Sequence, residues 1–271
     1  MGGFPLKNAC EPLIRSENLF SAAVAASTCV FRYGVASAVG ADVEEMRLPH
    51  QRTDAFGGLM LLASMAKAQR LAFAPAFSEQ TEGSCEGYRW LHAWTAARGR
   101  GGTGQTFTQR FVEELLAMFD ETRLPSLSLA VALDDPAALP KAGVWGNSLA
   151  LVNLKRAELH QALGLARDTW HTALQERGHS IKCLLERRPE LATRARTSML
   201  VSSIGRLERL EWAPALDPRS LMMVPTPGRS DLATIVLWSS GGFQALTVAA
   251  VSEHPLLERY ADLLDAWRGL I

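Results

Sequence analysis

The sequence predicts an α+β fold, predominantly α-helical. It has a helical N-terminal half, and a mixed second half that holds a small, mainly antiparallel sheet and a C-terminal helix. Three observations lead there. Apolar residues cluster in long Ala- and Leu-rich runs through residues 1–125. Short apolar, partly alternating runs begin just after Pro125. The last residues return to helical spacing. With 271 residues, 48% of them hydrophobic and 21% charged, the chain can bury a proper core as one large domain or two small ones. We divide it into a helical region, 1–125, and an α+β region, 126–271, with one continuous domain, 1–271, as the alternative.

The elements follow in order. Residues 1–15 read as irregular. Ser16 suits the N-cap of an apolar helix from Glu17 to about Ser37. Residues 40–52 are charged, contain Pro49, and read as a loop. Thr53 or Asp54 then opens a helix that runs through Leu59, Leu62 and Met65 to Arg70, and Pro75 breaks the chain. A third helix is expected over Ser78–Arg98, with Tyr88, Trp90, Leu91 and Trp94 on its apolar side. Gly99–Gly104 reads as a loop. An amphipathic helix follows from Phe107 to about Thr122, with Phe111, Leu115, Leu116 and Phe119 in register.

Past Pro125, Ser126–Leu133 reads as a strand and 134–147 as a loop. Leu151–Arg188 reads as helical, punctuated by Gly164 and Gly178. Ser198–Leu210 is a further helix or strand, and Leu221–Val224 a strand. Ala233–Trp238 and Phe243–Val251 form a hairpin turned at Ser239–Gly242. The C-terminal helix runs from Pro255 to Arg268, with Leu256, Leu257, Tyr260, Leu263, Leu264 and Trp267 facing inward.

Net charge is zero, so the chain as a whole is not steered toward nucleic acid, membrane or an acidic partner. The basic residues, however, are 23 Arg and 5 Lys, and Lys155–Arg209 alone carries 11 basic against 6 acidic residues, a net of +5. The four cysteines form no CxxC pair and read as reduced thiols. Leu19–Ser27 has the outline of a signal-peptide core, but Glu11 and Glu17 stand upstream where a basic, acid-free start is required. Arg32 interrupts the apolar run, so it does not span a membrane. The expectation is a cytoplasmic protein with no membrane partner.

Several segments carry chemistry. Arg156–Gly178 resembles a helix-turn-helix with Gly164 at the turn. Leu159, Leu163 and Leu165 would pack the two helices together, and Arg167 and Thr169 would stand at the exposed start of the second, where base contacts are made. Arg187, Arg188, Arg194 and Arg196 extend a basic face that suits phosphates. Gly99–Thr106 (GRGGTGQT) has the glycine spacing of a phosphate loop. Gln105 stands where the phosphate-binding Lys should be, which leaves a passive anion site with Arg100 and Arg110. Gly83–Gly87 outlines a nucleophile elbow around Cys85 but lacks a near histidine. His179 and Cys183, four apart, fall short of a zinc set unless His160 and His171 join them. No metal and no cofactor is assigned. His50, between Arg47 and Arg52, could serve as the base of a metal-independent ribonuclease. Asp134-Asp135, ahead of Pro136, reads as a turn.

The leading reading is a nucleic-acid-binding protein, for DNA or RNA, that uses Arg100, Arg110, Arg156, Arg167, Thr169, Arg187, Arg188, Arg194 and Arg196. The alternatives are a scaffold or assembly subunit with other protein subunits as partners, and the ribonuclease.

Overall fold

β-Branched and aromatic residues dominate Thr28–Ser37, and this segment is a strand, β1, not the end of a helix. It turns at Ala38–Val39 and pairs antiparallel with β2 (Gly40–Pro49) in unbroken register from Thr28↔Pro49 to Ser37↔Gly40. The computed structural model describes residues 28–49, 54–85, 87–97, 106–138, 149–188, 198–213, 216–226 and 232–271.

Asp54 caps the helix α1 (Ala55–Gln69), its carboxylate accepting the Gly57 N–H at 2.9 Å. The helix predicted over Ser78–Arg98 is instead a hairpin of β3 (Gln80–Cys85) and β4 (Tyr88–Ala96). Helix α2 (Phe107–Met118) has the predicted amphipathic face, with Phe111, Leu115 and Leu116 buried. Thr106 and Gln109 close a reciprocal capping box at its start. Next come β5 (Ser126–Ala132), β6 (Leu149–Lys155), α3 (Arg156–Leu163) and α4 (Arg167–Arg187). Strands β7 (Met199–Arg206), β8 (Leu221–Thr226), β9 (Ala233–Ser240) and β10 (Phe243–Ala250) follow. The chain closes on α5 (Pro255–Glu258) and α6 (Tyr260–Gly269).

The described residues thus form an α+β fold that is not predominantly helical, which corrects the expected helical N-terminal half and small sheet. Seven strands lie in the order β3-β4-β10-β9-β7-β5-β6 and three in the order β2-β1-β8. β9–β7 and β7–β5 pair in parallel, and the other ladders are antiparallel. β4 pairs with β10 and β1 with β8, so strands from either side of residue 125 share both sheets.

One face of the large sheet carries Leu127, Leu129, Val131, Val201, Ile235 and Val248, and these meet α2, α3, α4 and α6 in the main core. Trp267 of α6 and Phe111 of α2 are fully buried there, each contributing on the order of 1.5–3 kcal/mol by burial. α4 crosses close over β5 and β6 at Gly178, where a Cβ would come within 2.7 Å of Leu133 and 3.2 Å of Ala150. On the other face, Val236, Trp238 and Ala245 pack against α1 and the small sheet through Phe31, Tyr33 and Met223.

His92 and Cys29 are among the buried titratable groups between these layers. His92 of β4 is completely buried opposite Thr247 of β10. Its Nε2 lies 3.4 Å from the Pro218 carbonyl, which can only accept, so Nε2 carries the hydrogen and Nδ1 accepts from the Thr247 hydroxyl at 2.9 Å. Burial pushes its pKa down to about 4, against a smaller opposite effect of the Pro218 carbonyl. Burial, with the Asp54 carboxylate nearby, pushes the Cys29 thiol up to about 12. No helix among the described residues is long and apolar enough to cross a membrane.

Candidate functional site

The parallel ladder between β5 and β7 is short. It joins Ser128, Leu129 and Ala130 to Leu200, Val201 and Ser202 and then stops, although β5 runs on to Ala132 and β7 to Arg206. Along its other edge β7 stays with β9 to Arg206↔Ser239 by means of a bulge between Ser203 and Gly205. Gly205 holds φ at +79°, a left-handed conformation that a side chain would strain. Past Ala130 and Ser202 the two strands separate, and a cleft of about 480 Å³ opens between their C-terminal ends. Ligand sites favour this end of parallel strands, where chain segments diverge and leave backbone groups to be satisfied.

The walls of the cleft come from several parts of the fold, Phe56 of α1 among them. Leu129, Val131 and Val201 of the separating strands form an apolar base, joined by Trp170 and Leu174 of α4. Thr106 and Thr108 at the start of α2 form a second wall, where the Thr108 hydroxyl donates to Ser203 Oγ at 3.0 Å. His171 and Gln175 stand on the exposed turn of α4 beside the cleft, and Gln175 Nε2 reaches the Ala132 carbonyl at 3.4 Å. The lips carry charge: Asp134 and Asp135 follow β5, and Arg206 and Arg209 end and follow β7. Asp135 Oδ1 accepts the Ala137 N–H at 3.0 Å, fixing its lip in a tight turn. Trp212 Nε1 donates to the Pro136 carbonyl at 3.1 Å and ties one lip to the other.

Of the residues the sequence singled out for nucleic acid, few gather. Arg156 is committed inside the protein, its guanidinium donating to the Phe119 carbonyl at 2.8 Å and the Leu116 carbonyl at 2.5 Å. These are orphan acceptors at the end of α2, and a cation is their natural cap. Arg110 lies on α2 with its Nε buried and without a hydrogen-bond partner among the described residues. Arg167 and Thr169 are exposed on the first turn of α4, whereas Arg187 and Arg188 are exposed at its far end. Arg100, Arg194, Arg196 and His50 lie outside the described residues, as does the Gly99–Gly104 loop. His179 and Cys183 are exposed on α4.

The helix-turn-helix reading is corrected by what the two helices cover. α3 and α4 are present with Gly164 between them, but α4 lies along β6 and β5. It buries Trp170, Leu174, Arg177, Gly178 and Ile181. Arg177, 8% exposed, reaches the Asn153 carbonyl at 3.4 Å and pairs with Glu158 at 3.0 Å. The pair is therefore a cover on a sheet, and part of its positive charge is spent internally.

His171 was weighed in the sequence only as a metal ligand, and Asp134-Asp135 only as a turn. The strand end at 134 was visible, but nothing local indicated that β7, some 70 residues on, lies beside it.

No protein-family model matches the chain, and no curated protein matches it. Among solved structures it is similar to the epimerization domain from the third module of tyrocidine synthetase B, at 14% identity over 79% of this chain and 55% of that one, with a TM-score of 0.39. It is also similar to the starter condensation domain of rhizomide synthetase RzmA, at 8% identity over 98% of this chain and 94% of that one, TM-score 0.48. A third is the trichothecene 15-O-acetyltransferase of Fusarium sporotrichioides, at 12% identity over 79% and 52%, TM-score 0.37. The chain spans about half the length of the first and third of these. By their names these are two synthetase domains and an acetyltransferase. The expectation of a nucleic-acid-binding protein is withdrawn on the structure, where Arg156 is committed to backbone carbonyls and the α3–α4 pair covers a sheet.

Proposed function

We propose that this chain binds a small organic molecule in the cleft between the ends of β5 and β7 and serves an acyl-transfer reaction there, with His171 as the proton acceptor. The observation that carries the reading is the early end of the β5–β7 ladder, which opens a cavity of about 480 Å³ with an apolar base and a polar rim. A volume of that size suits a small ligand, and such sites combine apolar walls with a few directed polar groups.

The chemistry follows from what stands around the cavity. Transfer of an acyl group to a hydroxyl or amine needs a base for the acceptor's proton, donors for the oxyanion, and an apolar wall for the acyl chain. His171 is the histidine among the described lining residues. Thr108 and Ser203 bring hydroxyls, and the separated strands bring backbone N–H groups. Leu129, Val131, Val201 and Trp170 supply the apolar wall. No cysteine lines the cleft among the described residues, so a direct transfer fits better than a thioester on the protein. Condensation and O-acetyl transfer, named for the similar structures, fall in the same class; the reading stands on the residues of the cleft.

The test uses the full chain, a short acyl thioester, and an amine or alcohol acceptor, with thiol release as the readout. Turnover should fall by roughly 10²–10⁴ in His171→Ala, the range of a lost general base. The variant should keep the stability of the parent, because His171 is exposed. Turnover unchanged in His171→Ala removes the base from the reading, and no turnover with any acyl donor removes acyl transfer.

A further inference from the structure

The two lips of the cleft carry opposite charge. Asp134 and Asp135 follow β5 one residue past its end, and Asp135 is exposed, with one carboxylate oxygen engaged by the Ala137 N–H at 3.0 Å and no ion pair among the described residues. Arg206 ends β7 and Arg209 lies in the short 3-10 turn after it, both exposed. The carboxylate that Arg206 meets is Glu208 of the same turn, at a loose 3.9 Å. Arg209 makes no ion pair or hydrogen bond among the described residues. All four line the cavity. The same cavity is lined by Leu129, Val131, Val201 and Leu174, which offer an apolar body no hydrogen-bonding side chain.

From this arrangement we infer that the cleft selects a bipolar ligand: a cationic ammonium group at the Asp135 lip, an anionic group at the Arg206–Arg209 lip, and an apolar segment between them. The inference rests on the cleft being a ligand site, as proposed above. Two features support it beyond the charges. The Trp212–Pro136 hydrogen bond, 3.1 Å, holds the lips at a set spacing, so the charged groups are offered as a pair and not as independent surface residues. The bulge at Ser203–Gly205 redirects the end of β7, placing Arg206 on the rim of the cavity. A ligand of one sign would satisfy one lip and leave the other facing solvent.

The probes are 6-aminohexanoate, hexylamine and hexanoate, compared by ligand-observed NMR titration of the full chain. An exposed ion pair strengthens binding by up to about fivefold, so 6-aminohexanoate, which gains one pair over either single-ended probe, should bind roughly three- to fivefold tighter than each. Asp135→Asn keeps the acceptor for the Ala137 N–H and removes the charge. It should weaken 6-aminohexanoate and hexylamine about threefold and leave hexanoate unchanged. Arg209→Gln should do the reverse, weakening the two carboxylates alone. Equal affinity for all three probes, or equal loss for all three in either variant, overturns the bipolar ligand and leaves the cleft reading standing. Absence of binding by all three at millimolar concentration, with the variants folded, overturns both.

Discussion

His92 makes the protein's stability depend on pH in a way that can be worked out from its surroundings. The imidazole is fully buried between β4 and β10, hydrogen-bonded to Thr247 and the Pro218 carbonyl, and held neutral by its burial. Its pKa is lowered from 6.5 to about 4, chiefly because burial strips water from the charged form. In the unfolded chain it takes up a proton near its ordinary value. Above that value both states are neutral and the native arrangement is fully stable. As pH falls, the unfolded state gains a proton that the folded state refuses, until the folded pKa is reached. Stability is therefore lost between about 6.5 and 4. A difference of roughly 2.5 pKa units corresponds to about 3 kcal/mol once the pH lies below both values, and about 2 kcal/mol of it is gone at pH 5. The assay is urea unfolding of the parent and His92→Gln at several pH values from 7.5 to 4.5. The variant loses stability at every pH because its packing changes, so the comparison is between slopes. The parent should lose roughly 2 kcal/mol more than His92→Gln between pH 7.5 and pH 5. NMR titration of the native imidazole, with its midpoint near 4, checks the same point directly. Parallel slopes, or a native midpoint at the ordinary histidine value, would refute the reasoning.

Two other perturbations test interactions described above. Arg156→Ala removes two charge-assisted hydrogen bonds to the Leu116 and Phe119 carbonyls and should cost about 2–3 kcal/mol in denaturant unfolding, with Arg156→Lys intermediate; a loss below about 0.5 kcal/mol would mean that water replaces the guanidinium. Trp212→Phe removes the donor to the Pro136 carbonyl while keeping most of the ring. Its expected cost is about 1 kcal/mol, and amide exchange over residues 134–137 should accelerate. Unchanged exchange there would show that the lips are held by other contacts.

Individual elements were legible to the extent that their signals are local. A cap at Thr53 or Asp54, the Phe111–Leu115–Leu116 stripe of α2 and the glycine turn between β9 and β10 each declare themselves within a few residues; the stripe and the turn are found as read, and Asp54 is the cap. The error at Ser78–Arg98 has a definite cause. Residues Trp90 to Ala93 are buried in succession, because β4 lies in a sheet covered on both faces. A strand buried on both faces loses the alternation that would mark it, and its apolar run then reads as readily as a helix. The same holds for Leu149–Lys155, where β6 was absorbed into the following helix. Arg156 illustrates the other failure. A basic residue in a basic segment suggested a phosphate, but its partners are carbonyls 37 and 40 residues earlier in the chain.

By itself the sequence determined the local pieces: turn chemistry, helix caps, an amphipathic helix, and enough apolar residues to bury a core. Only the tertiary structure decided which strands neighbour one another, and hence the cleft. Its walls come from Phe56 and from residues 106–108, 129–137, 170–175 and 201–210, which share no local pattern. They meet because β7 inserts in parallel between β5 and β9 and then parts from β5 after three residue pairs. Parallel neighbours must be joined by long crossovers, so the residues they bring together are distant in the chain, and a reading confined to local spacing does not connect them.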